Sequence, residues 1–341
     1  MRSGVALIVL VAATVAAEAR PLPAAPMPRP RPARAPSFDA AAANAACEKC
    51  HAEIAREHRA SLHAASATDP MYRRAHAIEP LAFCADCHAP EGDARASLGV
   101  ACVTCHQPGD DVLAAPGSTR APHALARDAR FATDAACAAC HEFRFPTAPP
   151  SSSWPGDFMQ STVWEHARSA RAGESCASCH MPRVGDSRGG HRSHTFTASR
   201  DEALVRSAVD IAATRPARTR ARIVVTPRAV GHAFPTGDLF RRLAITAEAR
   251  DARGDVRARD VVILARHAVG VPRAPGALAD DRVAIDGGAS TVWLDLAGAR
   301  EADTIAWRVV YQRVEHYTST DERDALVEGE IVVASGTLGP R

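Results

Sequence analysis

One short motif occurs five times in the sequence, and it constrains the fold more than any other feature. Each copy reads Cys-x-x-Cys-His, and together the copies contain every cysteine of the 341-residue chain. The cysteines are Cys47, Cys50, Cys84, Cys87, Cys102, Cys105, Cys137, Cys140, Cys176 and Cys179, and the histidines that follow them are His51, His88, His106, His141 and His180. A repeat that uses all ten cysteines points to a single chemical purpose.

The motif is the attachment signature of c-type haem. Two thiols form thioethers with the vinyl groups of one porphyrin, and the adjacent histidine reaches the iron as its proximal ligand. Zinc ribbons and structural disulfides are the alternatives. Four-cysteine zinc sites need an even number of pairs, and neither alternative explains a histidine after every pair. The sequence therefore predicts five covalent haems, which must lie close together because all five motifs fall between residues 47 and 180.

The N-terminus has the pattern of a secretory signal peptide. Arg2 is followed by an apolar run from Val5 to Val15, and Ala17-Glu18-Ala19 fits a small-x-small cleavage site. The run is shorter than the roughly 20 residues of a membrane-spanning helix. We therefore expect residues 1–19 to be removed and the mature chain, without an integral membrane span, to be periplasmic or on the cell surface. An uncleaved anchor is the alternative.

The remaining chain divides by composition into three parts. Residues 20–38 alternate proline with alanine and arginine, which favours an extended linker. Residues 39–199 contain all the cysteines; Asp39 is placed to cap a helix running to about residue 66, and 145–157 has the composition of a loop. Residues 200–341 contain no cysteine and predict strands at 221–226, 242–249, 260–266, 290–296, 304–314 and 330–336. The expected fold is α+β: a helical, loop-rich penta-haem domain followed by a β-sandwich-like domain.

Ten further histidines are available as second axial ligands of the irons. The formal net charge of +2 excludes nucleic-acid binding by bulk electrostatics. The chain has only five methionines, two of them Met1 and Met27, so histidine is the favoured sixth ligand. An iron with two histidine ligands is coordinatively full and suits electron transfer, whereas an open position would admit a small substrate.

Three stretches of the sequence resemble the cytochrome c-554 family of multihaem proteins. They are CEKCHAEIAREHRASLHAAS, CADCHAP and GVACVTCHQP; the segment GHAFPTGDLFRRL at 231–243 resembles the entry to the β-rich C-terminal domain of exported multihaem cytochromes. The resemblance covers roughly residues 45–340. It implies bis-histidine haems in stacked pairs, electron transfer, and redox protein partners such as a quinol oxidoreductase or other cytochromes.

The resemblance also implies which histidines bind the irons from the second side. His63 matches the Ser-x-His ligand of the family, and His194 follows, with His191 as its rival. His232 would donate a ligand from the β-rich region, or else it is simply a turn residue. His123, between two motifs, is the fourth candidate.

One departure keeps an enzymatic function open. The segment Glu57–His63 is echoed by Glu165–Arg171, so an arginine stands where the first segment has His63. Either His166 takes a ligand role or one haem lacks a protein sixth ligand. A haem with an open position would suit an oxidoreductase acting on a small nitrogen or sulfur oxyanion, which Arg171, Arg183 or Arg192 would hold.

The prediction leans towards electron transfer without catalysis. No Cys-x-x-Cys-Lys motif, often found at the active haem of cytochrome nitrite reductases, occurs in the chain. A third possibility is an interaction module whose β-rich region docks a partner, for which the proline-rich linker would serve as a tether.

Overall fold

The computed structural model describes residues 37–78, 80–92, 97–117, 121–145, 156–185, 190–267, 278–283, 288–315 and 322–341. The predicted signal peptide, nearly all of the proline-rich linker and most of the predicted loop at 145–157 lie outside these ranges. Within them, helices and sheets form the α+β arrangement that the sequence predicts. No helix in the described part of the chain is both long and apolar enough to cross a membrane.

The first half of the described chain consists of short helices and very short strands. The helices are α1 (Ala40–Cys50), α2 (Ala52–Arg59), α3 (Pro70–Ile78), α4 (Cys84–His88), α5 (Cys102–His106), α6 (Ala135–His141), α7 (Thr162–His166), α8 (Cys176–His180) and α9 (Glu202–Ser207). The strands are β1 (Leu113–Ala114), β2 (Ala126–Arg127), β3 (Glu142–Arg144), β4 (Phe158–Ser161), β5 (Arg183–Val184) and β6 (His191–Arg192), paired β1 with β2, β3 with β4 and β5 with β6. Every Cys-x-x-Cys pair lies on a helix, and most of these helices have five to seven residues, too short to be stable alone.

The predicted N-cap is confirmed, but the predicted long helix is wrong. The Asp39 carboxylate accepts hydrogen bonds from the backbone N–H groups of Ala41 and Ala42. The helix then breaks at His51, whose backbone (φ −103°, ψ 47°) is not helical, and its continuation ends at Arg59 instead of residue 66. The break falls on the histidine of the first motif.

The second half of the described chain is a two-sheet sandwich. Its strands are β7 (Val209–Ala217), β8 (Arg220–Pro227), β9 (Arg241–Arg250), β10 (Val256–His267), β11 (Ala279–Asp280), β12 (Ser290–Asp295), β13 (Thr304–Val314) and β14 (Val327–Leu338). One sheet has the order β11-β10-β9-β13-β14 and the other β12-β8-β7. Ile245 on β9 pairs with Val262 on β10 and with Val309 on β13, which makes β9 the central strand of the larger sheet.

The hydrophobic core lies between these two sheets. Ile223 and Leu294 from the smaller sheet and Leu243, Ile245 and Ile305 from the larger one are fully buried in a single cluster. In the described cysteine-containing half, by contrast, the hydrophobic cluster has three buried members, Ala40, Ala101 and Val103. The sandwich can therefore stabilise itself by apolar burial, whereas the motif-bearing half has too small an apolar core of its own.

All six predicted strands are present, and one further long strand was missed. β7 contains Pro216 and has no strong apolar alternation, yet it is an edge strand, where proline is tolerated. The predicted turn at Gly254-Asp255 joins β9 to β10, and Gly254 has the positive φ of 89° that such a turn requires. The other predicted turn, at Gly287-Gly288, lies partly outside the described residues.

A histidine at the end of β10 gives the sandwich a defined pH dependence. His267 Nε2 lies 2.9 Å from Asp281 Oδ1, and His267 Nδ1 lies 2.8 Å from Glu322 Oε2. These two carboxylates raise the pKa of His267 to about 10, although burial acts against the charge. Because about 6.5 is the unfolded pKa, the stabilisation is fully present below about pH 6.5 and is lost as the pH rises towards 10.

We expect the variant His267→Gln to unfold at a lower temperature than the wild type at about pH 6, and we expect the difference to shrink as the pH approaches 10. Thermal unfolding of the sandwich at several pH values in this range measures the difference in unfolding temperature between the variant and the wild type. His76→Gln, on α3 in the other half, is the control and should show no such convergence. A difference that is constant or grows with pH would contradict the assignment.

Candidate haem-binding sites

The Cys-x-x-Cys-His motifs are packed against one another in the described structure. The thiol of Cys140 interacts with that of Cys87, and the thiol of Cys176 interacts with that of Cys137, so three of the motifs meet in one place. Burial raises the pKa of the Cys105 thiol to about 12, so this thiol is protonated at neutral pH.

The cysteines of the structure are unpaired. All ten are free. Within the described ranges, His, Cys, Asp and Glu side chains form no group of three or more that could hold a metal ion alone.

Four motif histidines each face a second histidine across a gap of similar width. The ring centres are 6.5 Å apart for His51 and His123, 6.1 Å for His141 and His63, 6.2 Å for His106 and His194, and 6.2 Å for His180 and His232. The second members are the four distal candidates from the sequence. The structure thus brings each of them to a different motif.

The width of these gaps suits one metal ion between two imidazoles. A metal–nitrogen distance of about 2 Å, with about 1.1 Å from nitrogen to ring centre, separates two opposed imidazole centres by about 6 Å. Direct ring stacking would bring the centres closer than this. The four pairs can therefore hold an iron from both sides, and the neighbouring thiols can attach its porphyrin.

The hydrogen bonds of the rings leave the correct nitrogen for a metal. The Nδ1–H group of His106 donates to the carbonyl of Leu113 (3.0 Å), and that of His180 donates to the carbonyl of Thr197 (2.6 Å). The same pattern holds on the distal side: Nδ1 of His123, His194 and His232 bonds the carbonyls of Ala124, Arg192 and Ala233 at 2.8–3.1 Å. Such a bond fixes the ring and leaves Nε2 as the ligand atom.

Three of the distal histidines are also held in the protonation state that binds metals. Burial lowers the pKa of His63 to about 3 and the pKa values of His194 and His232 to about 4. Each of these rings is therefore neutral at pH 7, and only neutral imidazole coordinates a metal.

The fifth motif histidine, His88, differs from the other four. Its Nδ1–H group donates to the carbonyl of Ser66 (3.0 Å), as expected of a proximal ligand. The ring that contacts it is that of Tyr72, stacked at 3.9 Å with an interplanar angle of 5°. Among the residues that the structure describes, no histidine ring faces His88 across a 6 Å gap. His316 lies outside them.

The echo of Glu57–His63 at Glu165–Arg171 is now explained. Both nitrogens of His166 donate to backbone carbonyls, Nδ1 to Gly231 and Nε2 to Glu174, each at 2.7 Å. Burial opposes the charge of His166, but these bonds raise its pKa above the ordinary value. His166 is therefore not available to an iron, and within the described residues His88 is the motif histidine that has no histidine ring opposite it.

Two of the three arginines considered as anion ligands have other partners. Arg171 forms an ion pair with Glu174 (2.8 Å), and Arg192 donates to the carbonyls of Ala177 and Met181 around α8. Arg183 is exposed on β5. These contacts give Arg192 a structural role in holding the helix that carries His180.

The sequence reasoning missed the aromatic residues of this region. Phe196 packs edge-on against His63 (4.2 Å between ring centres) and His194 (5.6 Å), so it joins two of the histidine pairs. Phe131 stacks on His106 at 4.9 Å. Phe196 follows His194 by two residues, and this spacing was the available signal.

Comparison with protein-family models and with curated proteins gives no match. Comparison with solved structures shows the fold to be that of a multihaem cytochrome. One similar structure is a penta-haem cytochrome c552 from Thermochromatium tepidum, with a TM-score of 0.63 and 18% sequence identity over 86% of this chain and 97% of that chain. At this identity the likeness establishes the fold, and the more specific resemblance to cytochrome c-554 stays a prediction.

Two glycoside hydrolase family 2 structures also match part of the chain. One is a β-glucuronidase and the other is from Bacteroides cellulosilyticus; they cover 40% and 39% of this chain, and 11% and 14% of their own, at 10% identity. Their TM-scores of 0.19 and 0.20 are too low to bear on the fold.

Proposed function

We propose that this protein is an exported penta-haem c-type cytochrome that carries single electrons through closely packed, mostly bis-histidine haems. The four histidine pairs with ring centres 6.1–6.5 Å apart carry this proposal. Each pair combines one Cys-x-x-Cys-His histidine with one of the predicted distal histidines. An iron held on both sides has no open position, which favours electron transfer over catalysis.

The packing of the motifs supports transfer between haems. Contacts between the thiols of Cys87 and Cys140, and between those of Cys137 and Cys176, bring the attachment points of three haems together. Phe196 lies between His63, the distal ligand for one of these three haems, and His194, the distal ligand for a fourth. Haems so arranged can exchange electrons without any bond being made or broken, while the axial ligands and burial set their potentials.

The remaining parts of the proposal concern organisation and location. Residues 1–19 direct export to the periplasm or cell surface, 20–38 form a linker, 39–199 bind the haems and 200–341 form the β-sandwich. Redox proteins such as a quinol oxidoreductase or other cytochromes exchange electrons with the array. The β-sandwich contributes His232 as the ligand of one haem, so it is part of the redox unit.

Mass spectrometry of the purified protein tests the haem count. We expect a mature chain beginning near Arg20 with about five covalently attached haems, one for each motif. A mass equal to that of the unmodified chain, or bound zinc with free thiols, would overturn the proposal.

A second candidate function rests on His88. In the described structure, Tyr72 and not a histidine ring lies against His88. The iron bound by His88 would then have one open coordination position, which an oxidoreductase of small nitrogen or sulfur oxyanions requires. EPR of the same sample, with and without cyanide, distinguishes the two functions. Five low-spin haems that ignore cyanide support the carrier alone; one high-spin haem that binds cyanide supports the second candidate.

A further inference from the structure

The echoed dipeptides Glu57-His58 and Glu165-His166 make corresponding contacts at two different haem-binding sites. Glu57 and His58 lie near the C-terminus of α2, and Glu165 and His166 are the last two residues of α7. His58 and His166 are both buried, each 7% exposed, and Glu165 is 1% exposed. Charged and polar side chains at such burial need defined partners, and the partners are the clue to their role.

In both dipeptides the glutamate holds the chain that carries a distal histidine. The Glu57 carboxylate accepts the backbone N–H of His194 itself (2.9 Å). The Glu165 carboxylate accepts the backbone N–H of Ala233 (3.2 Å), the residue after His232. Glu165 also accepts a hydrogen bond from the Thr236 hydroxyl (2.5 Å), which is a second contact to the loop that carries His232.

In both dipeptides the histidine holds the chain that enters the matching Cys-x-x-Cys-His helix. His58 Nε2–H donates to the carbonyl of Val100 (2.8 Å), which lies two residues before Cys102. His166 Nε2–H donates to the carbonyl of Glu174 (2.7 Å), which lies two residues before Cys176. The spacing to the first cysteine is the same in both cases.

The two contacts of each dipeptide lead to the two segments that carry one pair of facing histidines. Cys102 belongs to the motif of His106, which faces His194, and Cys176 belongs to the motif of His180, which faces His232. Each dipeptide therefore bonds both arms of one pair, the entry to the proximal helix and the loop of the distal ligand. In both pairs the ring centres are 6.2 Å apart.

A second repeated contact accompanies the first. The N–H of Cys102 donates to Asn44 Oδ1, and the N–H of Cys176 donates to Asp134 Oδ1, both at 2.9 Å. Asn44 and Asp134 each stand three residues before the first cysteine of another motif. Because the first N–H groups of a helix lack intrahelical partners, these side chains fix the starts of α5 and α8.

We propose that Glu57-His58 and Glu165-His166 are equivalent positioning pairs, each of which aligns the two axial ligands of a single haem. This inference rests on the proposed bis-histidine ligation. Glu57-His58 serves the haem between His106 and His194, and Glu165-His166 serves the haem between His180 and His232. The glutamates touch no iron themselves; they act through the distal loops.

The test compares glutamate variants with the histidine variants they should resemble, using EPR and redox titration of the holoprotein. His194→Ala and His232→Ala first identify which low-spin signal belongs to which haem. Glu57→Ala is then expected to shift only the signal that His194→Ala abolishes, and Glu165→Ala only the signal that His232→Ala abolishes. The potential of that one haem should rise, because a nearby negative charge is removed.

Hydrogen exchange reports the contacts directly. The amide of His194 should exchange faster in Glu57→Ala, and that of Ala233 faster in Glu165→Ala. Glu57→Gln and Glu165→Gln lose the charge but keep an acceptor oxygen, so they should raise the potential of the same haem while shifting its EPR signal and its loop amide less than the alanine variants do. These variants keep the inference testable if an alanine variant fails to fold. Glu53→Gln, exposed on α2, and Asp303→Asn, buried at the far end of the sandwich, are controls and should move no haem signal.

The outcomes separate the inference from the proposed function. If the histidine variants abolish their signals but the glutamate variants change nothing, or shift all haems alike, the positioning role is overturned and the ligation stands. If His194→Ala and His232→Ala leave every signal in place, the ligation itself is wrong and the inference falls with it.

Discussion

A chain produced without attached haem is expected to keep its β-sandwich and to lose the ordered structure of residues 39–199. The sandwich has a continuous core in which Ile223, Leu243 and Ile305 are fully buried. The described motif-bearing half has a cluster of only three buried apolar residues, and four of its five motif helices are far below the length of about 12–15 residues at which isolated helices become even marginally stable. The porphyrins themselves must supply its missing apolar interior.

Hydrogen exchange of the haem-free and haem-loaded chains measures this difference. Amides of β8, β9 and β13 should stay protected in both, whereas those of α4, α5 and α8 should be protected only with haem. Urea unfolding should show one transition for the haem-free chain, with a slope that fits the sandwich alone. Equal protection of both halves without haem would show that the short helices carry enough stability of their own.

The variant His194→Ala is expected to convert one haem from low spin to high spin, while His191→Ala is expected to leave all five unchanged. The two histidines are three residues apart, but only His194 faces a motif histidine, His106. His191 Nε2 instead contacts both carboxylate oxygens of Glu57 at 3.1 Å. Removal of His194 opens one coordination position, and removal of His191 costs only a contact between partly exposed side chains.

EPR of the ferric proteins and cyanide titration measure the effect. His194→Ala should bind one more equivalent of cyanide than the wild type, and added imidazole should restore its low-spin signal. His191→Ala is the matched control because it removes the same side chain from the same segment. The reverse pattern would make His191 the ligand and would contradict the assignment of His194.

The sequence alone indicated the candidate attachment motifs and the four histidines that the structure places opposite motif histidines, because both depend on short patterns. The five motifs are contiguous, and the settings of His63, His123, His194 and His232 are local. The strands of the sandwich were predictable for the same reason, since alternation along β8 or β12 is visible residue by residue. Pro216 concealed β7, because its tolerance depends on the edge position that only the sheet order defines.

What the sequence could not predict depends on contacts between distant residues. The echo of Glu57-His58 at Glu165-His166 was visible, but its meaning required Val100 and Glu174 to be placed beside the two histidines. The break of the first helix at His51 likewise has no signal in the helix-favouring residues on either side of it. The stacking of Tyr72 on His88 also has no local signal, because the two residues lie sixteen positions apart in the sequence.

The placement of His232 on a loop of the sandwich has a consequence for assembly. In the proposed ligation, the cysteines that attach the haem of His180 end at Cys179, whereas the second histidine ligand of its iron, His232, lies some fifty residues later, in the C-terminal region. That iron would stay incompletely coordinated until this region has folded. A product truncated before His232 would then carry one haem in the high-spin state, and its spectrum would show that the molecule is incomplete.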